Sequence, residues 1–504
     1  MNELLNKKQF VQLGIVLFII FYYYLWTAIP ESNNFNPRNN IFNYYNKLAD
    51  SFLSGQLHLK QKPQPELLEF QNPYDPEVDR KYKLWDASLY KGKYYVYFGP
   101  APVLTLYIPF KLFFGKGLSD YLAVLIFMFG GVLWGTFILL LLRKKYFKSS
   151  PFWILLLTVA VLGFSNVAPF NLRRLAQYQV AIASGYFFVL GGLFFLCYAF
   201  QNEKKRLFLL ASASLFFGMA AGSRPTATFT MFSLILVWLK LCKEDKQKIR
   251  ANTVAIVVPF ILCLFIWGLY NYLRFDNFFE NGFRHQLTWI DQRKLKPLGI
   301  HNLIPSTYLY IFHQPEINKD FPFIHAYSTC PKISFPRLYY FEKIVGIFPS
   351  VPFVLFLLIC PLILLLQKSN RNVNKVNSNP RFPRSEFLII FLPGLLILIV
   401  YLFWFAALMR YVADFISLIV LSSGIVFMYV DSVIQKSSFD WVILRIFILI
   451  FATISIVFGA AFGIEGCEMD QSLYGLKGYR PAEFKRLERI FQPVSKIIKL
   501  IKTD

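Results

Sequence analysis

Apolar stretches of about 20 residues recur along this 504-residue chain and constrain its fold more than any other feature. Hydrophobic residues make up 56% of the chain and charged residues only 16%, an apolar share above that of average soluble domains. A helix needs about 20 residues to cross about 30 Å of hydrocarbon, and each stretch supplies roughly that length. The sequence therefore predicts an all-α polytopic membrane protein.

The apolar stretches predict about eleven transmembrane helices. They cover residues 10–29, 119–142, 152–167, 180–200, 206–221, 225–241, 253–273, 345–366, 387–406, 411–433 and 441–464. No small-residue cleavage site follows the first stretch, so we interpret it as a retained signal anchor. The apolar segment 101–115 is shorter and contains two prolines, which predicts an interfacial or partly embedded helix.

Basic residues indicate the topology. The formal net charge is +24, and short connections such as "RKKYFKSS" and "KEDKQKIR" are strongly basic. We expect the chain to lie in the plasma (inner) membrane. The positive-inside rule then places the N-terminus on its cytoplasmic side and two long loops, 30–100 and 274–344, on its outer face. We interpret residues 1–464 as a transmembrane domain and 465–504 as an amphipathic C-terminal tail. Topology accounts for the charge, so no nucleic-acid partner is expected.

The first outer loop carries two local structure signals. Apolar residues at helical spacing predict an amphipathic helix on the membrane face: Ile41, Tyr45, Leu48 and Phe52. Asn39 or Asn40 can cap its start, and Gly55 suits its end. Further along, "ASLYKGKYYVYF" predicts a short hairpin whose turn is Lys91-Gly92.

Two carboxylates of this loop are candidates for a general base. Asp86 follows Trp85 and precedes the aromatic hairpin, and partial burial among aromatic rings suits a carboxylate to proton abstraction or to metal ligation. Asp75, in "NPYDP", is a plausible turn former and a weaker candidate. A purely structural role for either residue remains the alternative.

Arginines at predicted outer helix ends are candidates for phosphate binding. They are Arg173, Arg174, Arg224, Arg274 and Arg410. A guanidinium near hydrocarbon usually faces a partner or a water-filled cavity, and it binds phosphate through two parallel hydrogen bonds. The alternative is that each one reaches the headgroups or forms a structural pair, as Arg410 could with Asp414 one turn later.

Aromatic and histidine side chains have alternative interpretations as well. Tyr94 and Tyr95 of the hairpin belong to a membrane-interface belt, stack on a bound sugar or hold a polyprenyl chain. His285, in the second outer loop, is a ligand, an acid–base group or a structural histidine. No Cys/His spacing typical of a metal site is present, so no metal ligands are assigned; the cofactor is unknown, and a divalent metal is left open.

The order of these features resembles a known family. The helix "YYNKLADSFLSGQLHL" precedes "LYKGKYYVYFGPAPVLTLYIPFKLFFG", which leads into a span ending in "RKKYF". This is similar to the membrane glycosyltransferases of the C superfamily (GT-C), especially bacterial family-39-like enzymes related to protein mannosyltransferases and aminoarabinose transferases. "GSRPT" and "MRYVADF" are similar to arginine-bearing outer helix ends in those enzymes. Enzymes of this family usually carry an acidic pair just before the first-loop helix, where this chain has Asn39 and Asn40. The candidate base Asp86 is therefore chosen for its local chemistry and not by its position in the family pattern.

The resemblance implies an inverting glycosyltransferase. A sugar would pass from a polyprenyl-phosphate donor, held with membrane lipid, to a glycan, lipid or protein acceptor on the outer face. A first-loop carboxylate would act as base, and arginines would hold the lipid phosphate. The alternatives are a transporter or lipid translocase and a non-catalytic GT-C-like scaffold. Ionisable residues concentrated at outer helix ends favour chemistry at the membrane surface over transport at mid-membrane.

Overall fold

The computed structural model describes residues 5–29, 43–173, 177–244, 246–326, 333–361, 382–433, 439–466 and 476–501. Within these ranges, nine helices are long and apolar enough to cross a membrane, which confirms an all-α multi-pass membrane protein. These helices cover Lys7–Ala28, Asp120–Tyr146, Phe152–Leu172, Tyr178–Ala199, Pro225–Glu244, Ile249–Phe275, Arg384–Phe403, Ile416–Val433 and Trp441–Glu465.

The chain is built mainly of α-helices, with a few short strands in the connections between them. The α-helices are α1 (Lys7–Ala28), α2 (Tyr44–Leu53), α3 (Pro65–Glu69), α4 (Pro76–Asp79), α5 (Ile108–Phe114), α6 (Asp120–Tyr146), α7 (Phe152–Ser165), α8 (Ala168–Leu172), α9 (Gln177–Ala199), α10 (Arg206–Ala221), α11 (Met231–Glu244), α12 (Ile249–Phe275), α13 (Leu303–Thr307), α14 (Ile347–Ser350), α15 (Arg384–Phe403), α16 (Met409–Val412), α17 (Ile416–Val433), α18 (Phe439–Glu465), α19 (Leu476–Tyr479), α20 (Pro481–Ile490) and α21 (Gln492–Ile501). The strands are β1 (Ala87–Tyr90), β2 (Lys93–Val96), β3 (Glu316–Ile317), β4 (Ile324–His325), β5 (Tyr340–Phe341) and β6 (Ala406–Ala407).

The bundle is centred on α9 and α17, the spans with the most buried surface. Helix α9 packs between α6 and α10, and α10 packs in turn against α12. Helix α17 packs against α7 and α15. Helices α1, α12 and α18 leave most of their apolar surface uncovered, as expected of spans that face lipid.

Two predicted spans differ from the rest. Residues 206–221 form α10 as predicted, but this helix has only 16 residues. Within 345–366, the described residues 345–361 contain α14, the 3₁₀ segment Pro352–Ile359 and two helical residues after it. Pro349 and Pro352 each remove a backbone donor, which explains why the described residues 345–361 form no continuous α-helix.

The two predicted outer loops fold together at one end of the bundle, which we call the loop end. The backbone N–H of Asp86 donates to Leu287 O at 2.9 Å. The hydroxyl of Ser88 donates to Gly282 O at 2.9 Å, and Lys83 Nζ donates to Thr288 O at 2.6 Å. Strands β5 and β6 pair in parallel, which brings the connection after α15 to the same end.

The local signals of the first loop are confirmed. Helix α2 buries Tyr45 and Leu48, and Gly55 follows it with φ +73°. The proposed caps Asn39 and Asn40 lie outside the described residues. Strands β1 and β2 pair antiparallel, and the turn residues Lys91 and Gly92 both have positive φ, as a two-residue hairpin turn requires.

Segment 101–115 is helical as predicted. A π-helical turn, Val103–Tyr107, leads into α5, which ends at Gly115 with φ +66°. Leu112 and Phe113 of α5 are exposed. The segment is therefore a short helix with an open apolar face.

Candidate functional site

Asp86 sits where the two outer loops join, immediately before β1. Its backbone has φ +63°, a left-handed conformation that aspartate tolerates better than most residues. Leu287 fixes this backbone by accepting from the Asp86 N–H, while Leu287 N donates to Ala87 O at 2.9 Å. The side chain is half-buried. The second outer loop therefore determines where the carboxylate points.

Tyr178 connects Asp86 to the cations of the site. Its hydroxyl donates to Asp86 Oδ2. The Cζ atom of Arg410 lies 4.8 Å from the centroid of the Tyr178 ring. Since Tyr178 lies in the first turn of α9, this central helix places the phenol between a loop carboxylate and a guanidinium.

Arg410 is paired with a carboxylate of the second outer loop. Its Nη1 donates to both carboxylate oxygens of Glu342 at 2.7 Å. Burial lowers the pKa of Arg410, but the Glu342 carboxylate outweighs burial and holds this pKa above its usual range. The proposed structural pair of Arg410 with Asp414 is therefore not what forms. Helix α16 ends at Val412, so the two side chains do not share one helical face.

Asp414 pairs with Arg224 instead. Arg224 Nη2 lies 2.9 Å from Asp414 Oδ2, and the hydroxyls of Thr226 and Tyr401 donate to the same oxygen. The Cζ atom of Arg224 lies 5.2 Å from the ring centroid of Tyr411.

The Tyr411 ring also contacts Arg410, whose Cζ lies 5.7 Å from its centroid. We call the connected set Asp86, Tyr178, Arg410, Tyr411 and Arg224 the tyrosine-bridged cluster. It brings together three residues predicted from sequence.

Two adjoining cavities open beside this cluster. Their volumes are ≈ 370 and ≈ 380 Å³, and they share five lining residues. The shared residues are Tyr97, Arg224, Pro225, Phe279 and Asn281. Asp86 lines neither cavity. Phe98 lines the first cavity, and its ring centroid is 5.1 Å from that of Tyr178, which donates to Asp86.

Arg274 lines the first cavity as a buried cation. Its Nη1 donates to Val96 O at 2.7 Å and its Nη2 to Asn271 Oδ1 at 2.8 Å. Its guanidinium also covers the ring of Tyr270 at 3.8 Å. Among the described residues, no carboxylate oxygen lies within 4.0 Å of its nitrogens. An anion in the cavity would therefore add a direct counter-charge to this guanidinium.

Arg173, another arginine predicted from the sequence, does not join the cluster. Arg173 is buried, donates from Nε to Gly463 O at 2.6 Å and lies over the ring of Trp26. Within the described part of the chain it makes no hydrogen bond or ion pair to the tyrosine-bridged cluster. Arg174 lies outside the described residues.

Tyr94, Tyr95 and His285, the aromatic and histidine candidates from the sequence, lie outside the tyrosine-bridged cluster and line neither cavity. Tyr94 is buried opposite Leu89, and the Tyr95 ring lies 5.3 Å from that of Phe275. His285 lies against the rings of Phe275 and Tyr90, at 5.6 and 4.7 Å. Burial lowers the pKa of His285. Tyr95 and His285 pack against Phe275 at the end of α12, whereas Tyr97 lines both cavities.

Asp75 serves as a helix cap. Its carboxylate accepts from Glu77 N at 3.1 Å at the start of α4. This contact matches the turn-forming role that its sequence context suggested. Among the described residues, no group of three or more His, Cys, Asp or Glu side chains is arranged to hold a metal ion.

Sequence reasoning missed Tyr178, Glu342 and Tyr411. Tyr178 is separated from Asp86 by 92 positions, and Glu342 from Arg410 by 68. Only the position of Tyr411, adjacent to Arg410, offered a local signal. The other two contacts are set by helix packing and loop docking, which spacing does not encode.

Three solved structures are similar to this chain. The Archaeoglobus fulgidus oligosaccharyltransferase in its apo form has 12% identity and a TM-score of 0.48, covering 95% of this chain and 59% of that one. ArnT from Cupriavidus metallidurans, bound to undecaprenyl phosphate, has 11% identity and a TM-score of 0.42, covering 96% and 80%. Archaeal AglB from A. fulgidus, in complex with an inhibitory peptide and a dolichol-phosphate, has 12% identity and a TM-score of 0.43, covering 96% and 60%.

This chain thus spans about three fifths of the archaeal oligosaccharyltransferase. No family model and no curated protein sequence matches it.

Proposed function

We propose that this chain is an integral-membrane glycosyltransferase of the GT-C type. It transfers a sugar, with inversion, from a polyprenyl-phosphate donor to an acceptor at the loop end of the bundle. The observation that carries the proposal is the tyrosine-bridged cluster. Three groups chosen for this chemistry from sequence, Asp86, Arg410 and Arg224, meet through Tyr178 and Tyr411.

The paired cavities suit an amphiphilic donor. Leu264 and Trp267 contribute an apolar wall, while Arg224 and Arg274 contribute positive charge. Arg224 already has Asp414 as a counter-ion, so of these two buried arginines Arg274 gains more from a bound phosphate. We assign the lipid phosphate to Arg274, with Arg224 as the second contact.

The proposed reaction needs one base and one cationic group. Asp86 accepts the proton of the acceptor hydroxyl as the acceptor oxygen attacks the anomeric carbon. The bond from that carbon to the phosphate oxygen breaks, and polyprenyl phosphate leaves with the electron pair. Guanidinium groups stabilise the charge that develops on the phosphate. Attack from the face opposite the phosphate inverts the anomeric centre.

The test measures release of polyprenyl phosphate, so it does not require the acceptor to be known. Purified full-length protein is incubated with a panel of labelled polyprenyl-phospho-sugars and candidate acceptors. We expect Asp86→Asn to lower turnover by about a hundredfold or more. Arg274→Gln should weaken binding of polyprenyl phosphate, measured directly by native mass spectrometry.

Asp75→Asn is the matched control, since it changes a carboxylate of the same loop that caps a helix. It should retain turnover. Equal turnover by Asp86→Asn and the wild type would exclude Asp86 as base. Lipid binding without turnover of any donor would favour a non-catalytic scaffold, and donor movement between leaflets of proteoliposomes without sugar transfer would favour a translocase.

A further inference from the structure

The last two helices, α20 and α21, pack at the level where two spans end. Phe484 of α20 packs with Phe321 in a small separate core, to which Trp26 and Ile464 contribute. Trp26 Nε1 also donates to Glu483 Oε1 at 2.7 Å. Since Trp26 lies in the last turn of α1 and Ile464 in the last turn of α18, this core lies where both spans end, at the loop end of the bundle.

Helix α21 extends from this core as an amphipathic segment. It has 10 residues, about 15 Å of helix, which is too short to cross a bilayer. Val494 and Ile497 on one side of α21 are 37% and 56% exposed. Lys496 and Lys499 are exposed on the opposite side. This is the pattern of a helix that lies in a membrane interface.

Charge adds a second observation. The exposed residues of α20 include Lys485, Arg486 and Arg489, with Glu488 as the one exposed acid. Together with the lysines of α21, they give this surface a net positive charge beside the ends of α1 and α18. Anionic headgroups attract such basic clusters.

We propose that α20 and α21 form a docking surface for anionic phospholipid. The side chains of Val494 and Ile497 insert among the acyl chains, and the basic residues contact the headgroups. The Ser495 hydroxyl also donates to Lys319 O at 2.7 Å, a contact between α21 and the second outer loop. This surface is separate from the tyrosine-bridged cluster, and the inference does not rest on the proposed glycosyltransferase activity.

Hydrogen exchange of the backbone amides of residues 492–501 tests the proposal. Full-length protein is placed in nanodiscs of phosphatidylcholine alone or with about three tenths phosphatidylglycerol. Exchange should slow by at least about fivefold with phosphatidylglycerol. Lys496→Gln with Lys499→Gln should remove that lipid dependence, and Ile497→Asp should accelerate exchange in both lipids.

Ser495→Ala is the matched control, because it removes a protein contact and no apolar or basic group. It should keep the dependence on phosphatidylglycerol. Whole-protein melting verifies that each variant is folded. Wild-type exchange that is equal in the two lipids would overturn the proposal, as would an Ile497→Asp variant that exchanges like the wild type.

Discussion

The guanidinium of Arg410 lies over the ring of Tyr178, 4.8 Å from its centroid, while the hydroxyl of the same ring donates to Asp86. One tyrosine thus contacts a cation through its ring face and a carboxylate through its hydroxyl group. A negative ring face attracts the cation, and the phenol O–H satisfies one carboxylate oxygen. The two interactions are separable because different atoms make them.

Substitution of Tyr178 separates its two contacts. Tyr178→Phe keeps the ring for Arg410 and removes the donor to Asp86, so we expect kcat for donor turnover to fall about tenfold. Tyr178→Ala removes both contacts and should lose more. Steady-state kinetics of the two variants give the comparison. Equal rates for Tyr178→Phe and the wild type would show that the phenol does not position the base.

Double-mutant cycles distinguish the partners of Asp414. The structure pairs it with Arg224 and not with Arg410. Thermal unfolding of Arg224→Met, Asp414→Asn and the double variant should give a coupling of about 2 kcal/mol. The same cycle between Arg410→Met and Asp414→Asn should give a coupling below about 0.5 kcal/mol. A larger coupling in the second cycle would restore the pair that sequence spacing suggested.

Local signals predicted much of the fold. The apolar runs located α6, α9 and α12 to within a few residues, because span length is fixed by the hydrocarbon thickness. The Lys91-Gly92 turn located the hairpin, because few dipeptides accept positive φ at both positions.

Expectations that required one continuous helix across a given stretch of sequence were wrong at two places. The structural alternative for Arg410, a pair with Asp414 four residues later, needs a continuous helix, but the helix is interrupted between Val412 and Ile416. Span 345–366 was assigned from apolarity alone, although Pro349 and Pro352 lie within it. The contacts of Asp86 with Tyr178 and Leu287 arise from packing between distant segments, which no local pattern reports.

The backbones at Gly99 and Gly222, which both line the first cavity, approach so closely that a side chain at position 99 should destabilise the protein. A Cβ added there would lie 2.0 Å from Gly222 O, a carbonyl that also accepts from Ala101 N at 3.1 Å. Gly99→Ala should therefore destabilise the protein by about 1–3 kcal/mol. Gly14→Ala is the control, because nothing lies within 4 Å of its added Cβ. Thermal unfolding of both variants gives the comparison, and equal melting temperatures would contradict the close contact.

The junction of the second outer loop with α18 predicts a pH-dependent stability. Glu465, the last residue of α18, accepts from Ala326 N at 2.6 Å and lies 3.0 Å from Lys343 Nζ and 3.5 Å from His325 Nδ1. Burial lowers the pKa of His325, but the Glu465 carboxylate outweighs burial and raises it above its usual value. The contribution of His325 is therefore fully present below about pH 6.5 and is lost as pH rises through the folded-state pKa.

The melting temperatures of the wild type and His325→Gln should accordingly differ most at acidic pH and converge as pH rises. His285→Gln is the control with the opposite sign. Burial lowers the pKa of His285, so its neutral form contributes stability above about pH 6.5 that is lost on acidification. The difference between the wild type and His285→Gln should grow with pH. A His325→Gln difference that also grew with pH would show that Glu465 does not hold the protonated imidazole.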